Sequence, residues 1–216
     1  MRYLIFSDSH LSDRFEQKKF NFLRRIIKSS DKVIINGDFW EGYDLKIEDF
    51  VNTKWSGLFK LLKEKNAVYL YGNHDKKEYS NSNVALFSKI QKTKFTLQSG
   101  KYTFYIEHGD RITPLWDKYF KRMPRLLNKG LYYLEKFVVL FFGIEALGLL
   151  YKKFNKDMIN KVSRKLKNNQ YLICGHSHFM EYDEKNHFIN TGFVKHGFGQ
   201  YVTIDNGKIE LHNESY

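Results

Sequence analysis

Residues 1–10 read MRYLIFSDSH: an apolar run of strand length, Tyr3–Phe6, opens directly into Ser7-Asp8-Ser9-His10. The same figure recurs four more times. Lys32–Ile35 leads to Gly37-Asp38, and Ala67–Tyr71 to Gly72-Asn73-His74-Asp75. Tyr102–Ile106 leads to His108-Gly109-Asp110, and Tyr171–Cys174 to Gly175-His176-Ser177-His178. Short apolar runs closed by Gly, Asp or Asn predict buried strands. Between the first runs lie stripes of helical period, Phe20, Leu23, Ile26 and Ile27, then Phe50, Val51, Trp55, Leu58, Phe59 and Leu62. Strand–helix–strand alternation predicts a layered α/β fold. In such folds the carboxyl ends of strands, where all five polar clusters fall, gather ligands.

The pattern changes at Pro114. Both prolines, Pro114 and Pro124, lie there, and the next 45 or so residues read as continuous helix. Phe154, Met158, Val162 and Leu166 recur every four residues among Lys156, Lys161, Arg164, Lys165 and Lys167. This predicts a basic amphipathic insertion or cap over about 114–168 in one domain spanning 1–216. The tail closes with Tyr201–Ile204 and Lys208–Leu211 around Asp205-Asn206-Gly207, a hairpin signal.

At 216 residues, 42% hydrophobic and 28% charged, the chain can build a real core and is neither disordered nor a membrane bundle. Its single cysteine, Cys174, excludes a disulfide scaffold and a four-cysteine zinc site and predicts a reducing, cytoplasmic setting. The first apolar run is too short for a signal peptide. Thirty-six Lys and Arg against 24 Asp and Glu give +12, which predicts an anionic partner. Three quarters of that excess lies between Pro114 and Asn169.

Singly, each polar cluster has an ordinary meaning: Asp-x-His caps turns, Gly-Asp makes them, and paired histidines pack in cores. Five in this order, each at a strand end, point to metal chemistry. In an extended segment residues i and i+2 face the same way, so Asp8 with His10, and His176 with His178, are expected to present paired ligand atoms. Carboxylate, imidazole and amide donors without thiolate suit manganese, iron, zinc or a similar divalent ion. Seven candidate ligands exceed what one ion takes and suffice for two that share a carboxylate.

These clusters resemble the signature of the metallophosphoesterase (calcineurin-like phosphoesterase) family: D-x-H, G-D, G-N-H-D, H and G-H-x-H, over residues 8–178. The resemblance implies a four-layer α/β/β/α sandwich of two mixed sheets with a helical insertion. It implies one divalent ion on Asp8, His10, Asp38 and His178, and a second on Asp38, Asn73, His108 and His176, bridged by Asp38. Manganese is the expected metal, with iron, zinc, nickel and cobalt as alternatives. The implied activity is metal-dependent hydrolysis of phosphoric esters or anhydrides, by a hydroxide bridging the ions and without a protein nucleophile. His74 is then free to stabilise developing charge or protonate the leaving oxygen, with Asp75 expected to orient it. His187, His196 and His212 are left to surface or strand positions.

Within the family, the length, the Gly37-Asp38-Phe39-Trp40-Glu41 block and the insertion between His108 and Gly175 are similar to UDP-2,3-diacylglucosamine hydrolases. Those enzymes cleave a pyrophosphate and hold acyl chains with inserted helices; they commonly carry Arg at the position of His74. The resemblance thus implies a lipid-linked or nucleotide-sugar substrate. The apolar run Phe137–Leu150, broken only by Glu145 and flanked by Lys136 and Lys152-Lys153, is shorter than the roughly 20 residues that span a bilayer. It reads either as a helical hairpin packed on the sandwich or as a cap that rests on anionic lipid or encloses an acyl chain. In the second case the protein would be peripheral on the cytoplasmic membrane face. Arg111 and Asn190, the latter with Thr191-Gly192, are candidate substrate contacts, and Lys76 and Lys77 could steer anions. The charge also allows a nuclease or nucleotide phosphodiesterase. Nucleic acid ranks second, because the basic residues flank an apolar run instead of interleaving with aromatics. A non-catalytic scaffold ranks last, since no signature residue is missing. No obligate protein partner is evident.

Overall fold

Both faces of the first strands are buried, which is why they read as unbroken apolar runs. The computed structural model describes residues 1–114 and 123–216. In one sheet β1 (Arg2–Phe6), β2 (Lys32–Asn36), β3 (Val68–Leu70) and β4 (Ile90–Lys92) pair in parallel. The second sheet has the order β5 (Lys94–Ser99), β6 (Tyr102–Glu107), β7 (Gln170–Cys174), β9 (Phe188–Asn190), β8 (Glu181–Asp183). Its pairs β6/β7 and β7/β9 are parallel, while β5/β6 and β8/β9 are antiparallel. The first sheet is completed beyond β1 by β10 (Val194–Lys195), β11 (Phe198–Asp205) and β12 (Lys208–Ser215), all antiparallel pairings. Both sheets are therefore mixed, as expected. The β11–β12 hairpin turns at Asn206 and Gly207, both with positive φ, in register Asp205 to Lys208.

Alternation along β1 and β2 builds the layers. Ile5 and Ile34 face the second sheet, meeting Phe104, Ile106 and Ile173. Leu4, Phe6, Val33 and Ile35 face the other way, onto helices α1 (Gln17–Lys28), α2 (Ile47–Phe50) and α3 (Phe59–Glu64). On the far side of the second sheet, Leu172, Cys174 and Phe188 pack on Met158 and Ile159 of α5 (Glu145–Lys161). Each fully buried aliphatic or aromatic side chain in these layers contributes roughly 1.5–3 kcal/mol. The stripe from Phe50 to Leu62 is buried except for the half-buried Val51, but it is not one helix. Thr53 accepts from Trp55 N and starts a separate 3-10 turn over Lys54–Leu58 between α2 and α3.

The insertion also departs from continuous helix. It forms α4 (Arg125–Phe142) and α5, split at Gly143, whose φ of 80° carries the chain out of α4. The part of the expected helix over 115–122 lies outside the described residues. Val139, Ile144 and Leu147 of this hairpin pack on Phe193 beside β10. Leu134, Phe137, Leu140, Phe141, Phe142 and Leu149 remain exposed.

Candidate metal centre

Each polar cluster sits where its strand ends, and backbone bonds knit the ends together. Asp8 N donates to Gly37 O at 3.1 Å, His10 N to Asp38 O at 2.9 Å and Gly175 N to His108 O at 2.9 Å. The convergence does not come from alternation along extended chain, as expected for Asp8/His10 and His176/His178. Asp8, His10, Asp38, His176 and His178 all have φ between 43° and 66°. Such left-handed residues curl the chain just past the strand end and cost of order 1–3 kcal/mol each, held only where the surroundings over-determine them. Two motif glycines exist for close approach. A Cβ on Gly72 would run into the Asp38 carboxylate, and one on Gly175 into Ser7 and Asp8.

The carboxylates lie at the centre of a ring of imidazoles. Asp38 Oδ2 is 3.3 Å from His108 Nε2, 3.8 Å from His10 Nε2 and 3.9 Å from His74 Nε2. Asp8 Oδ1 is 3.2 Å from His178 Nε2, 3.9 Å from His10 Nε2 and 4.0 Å from His108 Nε2. Asn73 Oδ1 lies 2.8 Å from His176 Nδ1 and 3.1 Å from His108 Nε2. All seven expected ligands are thus gathered at one place. Burial alone would raise Asp8 and Asp38, but the neighbouring imidazoles, His108 foremost, outweigh it and hold both carboxyls below their ordinary range. Asp8 Oδ1 is buried and takes no well-aimed hydrogen bond. An ionised buried oxygen without a donor, ringed by nitrogen donors, fits a divalent cation. Among the described residues, three sets of His, Asp and Glu can close on a common point: Asp8, His10 and His178; Asp8, Asp38 and His108; His10, Glu41 and His74.

A histidine ligand offers one nitrogen and donates from the other. That accounting closes for all four imidazoles. His10 Nδ1 meets Glu41 Oε2 at 3.0 Å, and His108 Nδ1 meets Asn36 O at 2.8 Å. His176 Nε2 meets Thr113 O at 3.0 Å, and His178 Nδ1 meets Glu135 Oε1 at 2.7 Å. In the neutral ring that ligation needs, the remaining nitrogen of His10, His108 and His178 faces the Asp8 and Asp38 carboxylates, and that of His176 faces Asn73 Oδ1. Burial, then the charge of Lys195, lowers His10 to about 4, so its ring is neutral, as ligation needs.

His74 is different. Burial works against its charge, but Glu41 and Asp38 outweigh it and push the imidazole up to about 9. Its Nδ1 is 2.7 Å from Glu41 Oε1, and its ring lies against Tyr43 with centroids 4.2 Å apart. Glu41, and not Asp75, therefore orients His74. The Asp75 oxygens accept from the backbone of Asp38, Phe39 and Gly72 at 2.7–3.1 Å, tying two ligand loops together. Asn190 is likewise no substrate contact: fully buried, it donates to Gly175 O, Ser177 Oγ and Asn155 Oδ1 and holds the His176–His178 loop from behind. Arg111 is exposed on the turn after His108 and does not line the pocket over the cluster. His196, expected at a bland position, is buried against Glu135 at 3.3 Å. Glu41, Glu135 and Lys195 belong to the cluster without having been expected from the sequence. The first had a signal, three residues after Asp38 in the Gly37–Glu41 block; a lone acid inside an apolar helix and a lysine at a strand end had none.

Asp, His and Asn donors brought together at the strand ends of two mixed sheets define a candidate metal-binding protein. A model of the calcineurin-like phosphoesterase family matches residues 1–180. The chain belongs to that family and is a metal-dependent phosphoesterase that binds divalent metal. The phosphoesterase YfcE of E. coli shares 15% identity at a TM-score of 0.50, covering 100% of this chain and 99% of that one. Vps29 of Entamoeba histolytica complexed with zinc shares 14% at 0.47, with 100% and 99% covered. A predicted phosphoesterase of Streptococcus pneumoniae shares 14% at 0.44, with 99% and 88% covered. Comparison with curated protein sequences finds no match.

Proposed function

We propose that this chain hydrolyses a pyrophosphate or phosphodiester in a lipid-linked or nucleotide-sugar substrate, of the UDP-2,3-diacylglucosamine kind, at a centre of two divalent ions, manganese foremost. The observation that carries the substrate class is the pocket over the metal-ligand cluster. His10, Asp38, Asn73, His74, His176 and His178 line its floor, and Leu131, Leu134, Val138 and Leu147 of the α4–α5 hairpin line its roof. A phosphate-binding floor beneath an apolar roof suits a phosphate joined to a hydrocarbon chain.

One ion would be held by Asp8, His10, Asp38 and His178, the other by Asp38, Asn73, His108 and His176. When bound, such ions supply Lewis acidity that polarises phosphoryl oxygens and acidifies a coordinated water. The chain's own groups do the rest. His74, held as a cation by Glu41, meets the charge that builds on the phosphoryl group or gives its Nε2 proton to the leaving oxygen. Asp75 keeps the Asp38 and Asn73 loops in register through their backbone. Leu140, Phe141, Phe142 and Leu149, exposed near Lys152 and Lys153, support a cap that rests on an anionic lipid surface. No helix among the described residues is long and apolar enough to cross a membrane.

A manganese-supplemented screen tests the substrate. It compares bis-p-nitrophenyl phosphate, p-nitrophenyl phosphate, UDP-sugars, UDP-2,3-diacylglucosamine and short nucleic acids. The acylated nucleotide sugar is expected to give the highest kcat/KM, and Leu131→Ser with Val138→Ser should lower that value while sparing bis-p-nitrophenyl phosphate. Equal losses on both, or preferred cleavage of nucleic acid, contradict the reading.

A further inference from the structure

Four imidazoles converge on the buried carboxylates and the Asn73 amide oxygen, and each is aimed by an acceptor behind it. For His10, His108 and His176 the acceptors are Glu41, the Asn36 carbonyl and the Thr113 carbonyl. For His178 the acceptor is Glu135, a side chain of α4 and therefore of the inserted hairpin. Glu135 is 6% exposed although it lies on a helix whose neighbours Leu134 and Phe137 are exposed. Its second oxygen pairs with Lys195 Nζ at 2.6 Å and His196 Nε2 at 3.3 Å. One carboxylate thus ties the hairpin to β10 and aims a candidate metal ligand.

A buried anion on a hairpin that could otherwise pack through Val139 of α4 and Leu147 of α5 is costly unless its partners are in place. The partners here are the ligand itself and two cationic or hydrogen-bonding groups of the sandwich. Losing Glu135 would leave the His178 ring without the acceptor that sets its tautomer, whereas the other three imidazoles keep theirs.

We propose that Glu135 is a positioning residue through which seating of the α4–α5 hairpin and occupancy of the ion site holding His178 depend on each other. The inference rests on the reading of His178 as a ligand. Because coupling is reciprocal, a metal that needs His178 correctly aimed must also favour the seated hairpin.

The test uses the full chain stripped with chelator and titrated calorimetrically with Mn²⁺ alone. Wild type is expected to take two ions. In Glu135→Leu, which keeps the side chain's bulk and removes the acceptor, one of the two affinities should fall about 10–100-fold, the range for removing the partner behind a ligand histidine, while the other stays within a few-fold. Amide exchange across residues 125–142 should slow on adding Mn²⁺ to wild type and respond far less in the variant. Because Glu135→Leu leaves Lys195 buried without its anion, Glu135→Leu with Lys195→Met is measured alongside. Loss of affinity that persists in the double variant supports positioning; recovery to wild type means Glu135 only neutralises Lys195 and overturns it. Unchanged Mn²⁺ affinities in a folded Glu135→Leu protein overturn it too, with the dinuclear reading left standing. Wild type that binds fewer than two ions removes that reading and this inference together.

Discussion

Asp38 Oδ2 has three imidazole nitrogens within 4 Å, those of His108, His10 and His74. Asp38→Asn keeps the shape and removes the charge. It should abolish one bound ion and lower turnover of bis-p-nitrophenyl phosphate by more than about a thousandfold, read by elemental analysis and kinetics on the same preparation. His74→Gln should instead keep the metal content and lose about 10²–10⁴ in kcat, the range for a single proton donor. Burial lowers Lys19 from 10.5 to about 8, where its amine hydrogen-bonds the Ser9 carbonyl. Between those pH values the unfolded chain holds the extra proton, so stability rises with pH. Denaturant unfolding should show wild type gaining on Lys19→Met from pH 8 to pH 10; a flat difference contradicts this. The seven candidate ligands and His74 were legible as one cluster because each follows a strand on a short, typed motif. Asp75 was misread because a carboxylate flanked by loop amides prefers that backbone nest to a neighbouring imidazole. Glu41 was quoted only as part of a block, since nothing in its spacing assigns it to two histidines at once.

At the scale of elements, the backbone does what the side-chain pattern could not announce. The strands that lead into the five clusters were legible from their apolar runs, and the hairpin from Asp205-Asn206-Gly207; β4, β5, β8, β9 and β10 carried no run that announced them. The stripe of Phe50 to Leu62 predicted the right buried face but the wrong element, because Thr53 caps a new turn midway. Likewise Gly143 ends α4 inside a segment that reads as continuous helix, and the periodicity of the flanking residues hides it. Two glycines separate strain from crowding. Gly143 has φ 80° and open space around its Cα, so Gly143→Ala should cost about 1–3 kcal/mol through backbone strain alone. Gly37 has φ 84°, and a Cβ there would run into the His108 ring, so Gly37→Ala should cost more and also weaken metal binding. Thermal melts with and without Mn²⁺ distinguish them: the Gly143 variant should keep the wild-type shift on adding metal, and the Gly37 variant should lose much of it.

Over the whole molecule, charge and exposed apolar surface peak in the same inserted hairpin, while the sandwich beneath it supplies the chemistry. Exposed Phe141 and Phe142 together with Lys152 and Lys153 should bind vesicles containing anionic lipid, weakening as salt rises. Co-sedimentation should fall on changing Phe141→Ser and Phe142→Ser, with turnover of water-soluble esters unaffected; sedimentation that ignores both salt and these changes contradicts a lipid-facing cap. Everything else depends on the strand ends of two sheets gathering enough donors for a pair of cations. Anomalous diffraction at the manganese edge, from crystals of the metal-loaded chain, tests this most directly. Two peaks flanking the Asp38 carboxylate, one beside His178 and one beside His176, are predicted; a single peak, or peaks away from Asp38, would contradict it.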